Sequence, residues 1–117
     1  METSSLVRAE HVEEIRRLER ALGKTDVFAN FVRTLERSLG AFGSAFAEHV
    51  ARGDGSGAVR AAHTLKGTCS QLGAQALSEL FADIERKAKA GDYGAAQRQF
   101  DGGASLIVQS LEALKRA

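Results

Sequence analysis

Apolar residues recur at steps of three and four along almost all of this 117-residue chain, and no proline interrupts them. That period is the helical one, and proline is the residue that most reliably breaks a helix. Ala, Leu, Glu, Arg and Lys, all good helix formers, fill much of the remainder. The chain is thereby confined to long helices, and its glycines supply the stops.

Five amphipathic segments follow from the spacing. The first carries Val12, Ile15, Leu18 and Leu22 and ends at Gly23. The second carries Phe28, Phe31, Leu35, Leu39, Phe42, Phe46 and Val50 as one long buried stripe. Thr25 or Asp26 is placed to cap its start, and Arg52-Gly53-Asp54-Gly55 stops it. Gly40 and Gly43 fall inside it, where they weaken the helix and leave room for another backbone to approach. The third segment starts near Ser56, carries Val59, Ala62, Leu65, Cys69 and Leu72, and ends at Gly73. The fourth carries Leu77, Leu80, Phe81, Ile84 and Ala88 and ends at Ala90-Gly91-Asp92. The fifth carries Tyr93, Ala96, Phe100, Ile107, Leu111 and Leu114, with Asp101-Gly102-Gly103 marking a kink or break within it. Short connections between such segments make antiparallel neighbours. The expected fold is all-α: an up-down antiparallel four-helix bundle with an extra N-terminal helix, as a single domain over residues 1–117.

Composition removes several function classes. Sixteen basic and fifteen acidic residues leave a net charge of +1, without the concentrated positive field of a nucleic-acid binder. Cys69 is the only cysteine, so no internal disulfide forms, and most metal frameworks lack their ligands. No apolar run is long enough for a membrane span, and residues 1–20 do not read as a signal peptide. A cytoplasmic monomer that binds neither nucleic acid nor membrane is the expectation.

One position stands out among the three histidines, His11, His49 and His63. At about 100° per residue, His63 lies more than about 100° from the centre of the third core stripe and should face solvent. Lys66, Gly67 and Ser70 follow at i+3, i+4 and i+7, and Arg60 precedes at i−3, so all four share its side of the helix. An exposed histidine keeps much of its imidazole neutral and nucleophilic near neutral pH. A lysine one turn away holds phosphoryl oxygens as a point charge. Glycine inside a helix costs on the order of 1 kcal/mol against alanine, and clearance for a bulky donor is a reason to keep it there. The Ser70 hydroxyl could add one hydrogen bond.

The run Ala62-His63-Thr64-Leu65-Lys66-Gly67-Thr68-Cys69-Ser70-Gln71-Leu72-Gly73-Ala74 resembles the signature of the histidine-containing phosphotransfer (HPt) family. Phe31 to Val50 with Gly53-Asp54 upstream, and Leu80 to Gly91-Asp92 downstream, extend the resemblance over roughly residues 25–115. The resemblance implies that His63 accepts a phosphoryl group from a receiver-domain aspartate and passes it to another receiver. It also implies that Lys66 steadies the group, that Gly67 keeps the ring accessible, and that Ser70 has at most a lesser part. Response-regulator receivers are the implied partners, with a hybrid histidine kinase as a further candidate. The chain would be a carrier rather than an enzyme. It would have no cofactor of its own, and Mg²⁺ would be supplied by the partner receiver. Helices one to three near the histidine would form the docking surface.

Rival readings are weaker. No histidine has a glutamate three residues before it, where Arg8, Phe46 and Arg60 stand, so a carboxylate-bridged metal bundle lacks its motif. Cys69 falls on the core stripe and reads as a small hydrophobe rather than a nucleophile. The phenylalanine stripe reads as core, and the Arg/Glu-rich stretch from Arg8 to Arg20 as a solvated face unless it shows Val12 or Ile15. A docking-only adaptor that binds a receiver or kinase without transfer keeps the fold and drops the chemistry.

Overall fold

Each of the first four helices runs into a glycine of positive φ: Gly23, Gly53, Gly73 and Gly91, at 68° to 80°. Side chains avoid that region, and glycine enters it freely. After each glycine the next N–H reaches back five residues: Lys24 to the Glu19 carbonyl, Asp54 to His49, Ala74 to Cys69 and Asp92 to Lys87, at 2.8–2.9 Å. Four copies of one turn thus reverse the chain four times.

The computed structural model describes residues 6–117. Its helices are α1 (Ala9–Leu22), α2 (Val27–Ala51), α3 (Gly55–Gln71), α4 (Gln75–Lys89), α5 (Tyr93–Gly102) and α6 (Ala104–Arg116). Helices α2, α3, α4 and the α5–α6 pair pack as an antiparallel bundle. The long fifth segment is broken at Gly103, whose φ of −92° any residue adopts. Close approach explains the glycine: a Cβ there would stand 2.9 Å from Leu80 Cδ2.

α1 lies across the end of the bundle where the α3–α4 turn and the chain terminus meet. Arg8 N–H donates to the Gly73 carbonyl at 2.6 Å, and the Arg16 guanidinium donates to the Ala117 carbonyl at 2.7 Å. The expected side-chain cap of α2 from Thr25 or Asp26 does not form; Asp26 is the N-cap residue but makes no capping bond. Glu19 on α1 supplies it instead, accepting from Phe28 N–H at 2.6 Å. That bond, with Arg16 beside it, outweighs the effect of burial and holds the Glu19 carboxyl below its usual range. The other caps are local: Asp54 accepts from Gly57 N–H and Asp92 from Ala95 N–H.

The core is centred on edge-to-face and tilted rings. Phe42 meets Phe81 at 5.1 Å and Phe100 at 4.9 Å between centroids. Gly43 admits the Phe100 ring, which would stand 3.2 Å from a Cβ, so a ring approaches there rather than a backbone; Gly40 has nothing near it.

Two expectations about the stripes are corrected. The inward positions of α2 are Phe28, Val32, Leu35, Leu39, Phe42 and Phe46, while Phe31 is 48% exposed. At about 100° per residue Phe31 stands about 60° from the line through Phe28 and Phe46, and it falls at the stripe's edge. On α1, Val12 is buried and Ile15 half-buried, but Leu18 and Leu22 are exposed. α1 touches the bundle along a narrower line than its apolar residues suggest.

Candidate functional site

His63 sits midway along α3, opposite the buried Ala62, Leu65 and Cys69, and its side chain is 63% exposed. The periodicity places it outward, and the structure agrees. What the sequence does not reveal is its partner. His63 Nδ1 lies 3.0 Å from Oε2 of Glu85 on α4.

Glu85 is only 4% exposed. At about 100° per residue it stands within about 40° of Phe81, so the same surface that packs Leu77, Phe81 and Ala88 carries a carboxylate into the α3–α4 interface. A buried carboxylate must be paired. Here Lys66 Nζ reaches Oε1 at 2.8 Å, and Lys89 Nζ joins His63 on Oε2 at 3.3 Å. Burial pushes the Glu85 pKa up; hydrogen bonds from Lys66, His63 and Lys89 outweigh it and bring the value down to about 2. Glu85 is therefore ionised near neutral pH and only accepts hydrogen bonds. The ring proton of His63 accordingly sits on Nδ1, and in the neutral imidazole the lone pair is on Nε2.

The sequence-selected neighbours divide. Lys66 joins the site through Glu85. Gly67 leaves open space beside the ring: a Cβ built on it meets nothing within 4 Å. Ser70 is not brought to His63; it lines a separate hollow of about 370 Å³ with Arg8, His11 and Gly73. Toward the N-terminus of α3, a groove of about 740 Å³ runs from His63 and Glu85 past Arg60 and Lys89 to Tyr93. Toward α1, a mainly apolar hollow of about 480 Å³ is lined by Ile15, Phe31, Thr34, Thr68, Gln71 and Leu72. His63 thus stands between a cationic groove and an apolar hollow.

The remaining reactive groups are placed differently. Burial pushes the Cys69 thiol up to about 12, which removes it as a nucleophile. Among the described residues no group of three or more His, Cys, Asp or Glu side chains is arranged to hold a metal ion. No helix there is long and apolar enough to cross a membrane.

A family model described as Hpt domain matches residues 5–117. The chain belongs to the Hpt family. No curated protein and no solved structure matches it. Hpt domains serve histidine phosphotransfer in two-component signalling, which sets the class of chemistry to be read from the site. Of this Hpt domain's three histidines, only His63 joins an exposed ring to a buried carboxylate. Sequence reasoning missed Glu85 and Lys89. The available signal was a carboxylate on the core-facing stripe of the fourth segment, with a lysine one turn on.

Proposed function

We propose that this Hpt domain is a phosphorelay intermediate, taking a phosphoryl group from a receiver-domain aspartate onto His63 Nε2 and passing it to a second receiver. The observation that carries the reading is the His63–Glu85–Lys66 arrangement, which fixes the tautomer and leaves Nε2 without a protein partner.

In the forward step the Nε2 lone pair forms a bond to phosphorus. The bond from phosphorus to the aspartyl oxygen breaks, and the aspartate leaves as a carboxylate. The proton on Nδ1 stays where it is. The ring becomes a phosphorylated imidazolium, and the Glu85 carboxylate 3.0 Å away offsets its new positive charge. Return transfer reverses each bond. Lys66 stands one turn from the ring with its ammonium on Glu85, from where it shares its charge with the phosphoryl oxygens while keeping the carboxylate paired.

The Mg²⁺ of aspartyl-phosphate chemistry is assigned to the receiver, and no kinase or phosphatase step to this chain. The docking face is assigned to α1, α2 and α3 around the hollow where the exposed Phe31 and the half-buried Ile15 meet Thr68, with Leu18 exposed on α1. Clearance at Gly67 lets a receiver close over the ring.

The test is phosphoryl uptake from a phosphorylated receiver, read by intact mass and acid lability. Wild type should gain one acid-labile phosphoryl group, and His63→Gln none at a nearly unchanged Tm, since Lys66 and Lys89 still pair Glu85 and the Gln amide can donate to it. Binding of the receiver without label on the wild type would replace this reading with the docking-only adaptor.

A further inference from the structure

Three cations surround the ring, and they are not equivalent. Lys66 and Lys89 both hold Glu85, at 2.8 and 3.3 Å. Arg60 is less committed: among the described residues its guanidinium has no hydrogen bond or close ion pair and acts on Asp54 only as a more distant charge, while it lines the same groove as His63. Asp54, the acid nearest along α3, has both oxygens occupied, Oδ2 by His49 and Oδ1 by the Gly57 N–H.

A phosphoryl group arrives with nearly two negative charges and three acceptor oxygens. Drawing Lys66 fully onto it would strip the buried Glu85 of its closest partner, and an underpaired buried carboxylate is costly. Arg60 can engage without breaking anything. It stands at i−3 from His63, where helical side chains are neighbours. Side chains on a helix lean toward its N-terminus, which tips the His63 ring over the turn that bears Arg60. Its planar fork of donors matches two phosphoryl oxygens at once, as an ammonium does not.

We propose that Arg60 is a direct ligand of the phosphoryl group on His63 Nε2, clamping it during transfer and prolonging the life of the phosphohistidine. The proposal rests on His63 being the acceptor. Arg60 is then a catalytic residue in its own right, and the groove of about 740 Å³ is the space into which the charged group settles.

The experiment uses a small donor, phosphoramidate, alongside a phosphorylated receiver. With phosphoramidate the donor's P–N bond breaks, ammonia leaves and a P–N bond to Nε2 forms, with no docking surface involved. Wild type, Arg60→Lys and Arg60→Gln are compared for uptake rate and for phosphohistidine half-life after donor removal. Arg60→Gln should take up phosphoryl about tenfold more slowly from phosphoramidate and lose it faster, with an unchanged Tm. Arg60→Lys should fall between, since the charge remains and the fork is lost. A wild-type rate and half-life for Arg60→Gln with phosphoramidate would overturn the proposal, even if transfer from the receiver slowed, because Arg60 would then be a docking contact. Absence of label on wild type from both donors would overturn the acceptor reading with it. Label on wild type and normal behaviour of Arg60→Gln sinks the clamp alone.

Discussion

The molecule contains two histidine–carboxylate pairs of identical length and opposite construction. His63 Nδ1 and Glu85 Oε2 are 3.0 Å apart, and so are His49 Nδ1 and Asp54 Oδ2. In the first pair the acid is buried and the ring is open, with side-chain exposures of 6% and 63%. In the second the ring is the more covered partner, at 27% against 41% for the acid. The acids also do different work. Asp54 spends its second oxygen on the Gly57 N–H, so His49 braces a helix cap between α2 and α3. Glu85 spends its second oxygen on Lys66 and caps nothing. In the proposed reading, the buried acid that holds the exposed His63 imidazole from beneath orients a nucleophile. An exposed acid that holds a covered imidazole ties two helices together. The two pairs share a distance and differ in the side on which the water lies, and the proposed assignment of one histidine as reactive and the other as structural rests on that difference.

Exchanging the two histidines gives the largest contrast. His63→Gln should abolish acid-labile phosphorylation and leave Tm in place. His49→Gln should phosphorylate at the wild-type rate and melt earlier. Label surviving in His63→Gln, or disappearing in His49→Gln, would reverse the two assignments. Exchanging the acids comes next. Glu85→Gln keeps the shape but loses the charge that stabilises the phosphorylated ring, and uptake should fall about tenfold. Asp54→Asn should lower Tm and leave uptake unchanged. The pH dependence of stability separates the acids further. The Glu85 value is about 2 in the folded protein, below its ordinary 4.5. A lowered carboxylate value means the stabilisation is complete above about pH 4.5 and disappears as the pH falls toward 2. Chemical denaturation of wild type and Glu85→Gln should therefore converge over that interval. For Asp54, the Gly57 N–H and then His49 hold the value below 3.8, so its stabilisation is complete above about pH 3.8 and is lost as the pH falls below that, where wild type and Asp54→Asn should converge. Wild-type and Glu85→Gln curves that stay parallel to the acid limit would mean that Glu85 is not ionically held.

What the sequence discloses follows the range of the interaction. His63, Lys66 and Gly67 lie within five consecutive residues of one helix, so helical geometry alone puts them on one face. The caps by Asp54 and Asp92 and the four glycine turns are equally local, and all are legible. Glu85 is 22 residues from His63 and reaches it only through the packing of α3 on α4, which no period within either helix encodes. Glu19 capping α2 from the preceding helix is the same kind of miss, since a side chain from α1 takes the task expected of Thr25 or Asp26. Phe31 departs from its stripe for a subtler reason. The apolar stripe of α2 is wide enough to include it, but the small footprint of α1 leaves that edge uncovered. Phe31 lies on the face proposed for receiver docking, where an exposed aromatic would serve as a contact.

Two glycines of α3 carry the contrast to its smallest effects. A Cβ on Gly57 would strike Asp54 Oδ2 and the His49 ring, so Gly57→Ala must push the structural pair apart, with a loss of about 1–3 kcal/mol. A Cβ on Gly67 meets nothing within 4 Å, so Gly67→Ala should gain stability by up to about 1 kcal/mol through helix propensity alone. Gly40, also inside a helix with nothing near it, shows that open space alone gives a glycine no role; the proposed role of Gly67 rests on its place one turn after His63 and is what a partner must test. Gly67→Gln is the sharper variant, because its side chain projects beside the ring. Uptake from phosphoramidate should match wild type, since that donor needs little room. Transfer from a phosphorylated receiver should slow several-fold, because a whole domain must close over the same spot. Equal slowing with both donors would show that the glutamine obstructs Nε2 itself, and equal rates with both would leave the glycine without a role in docking.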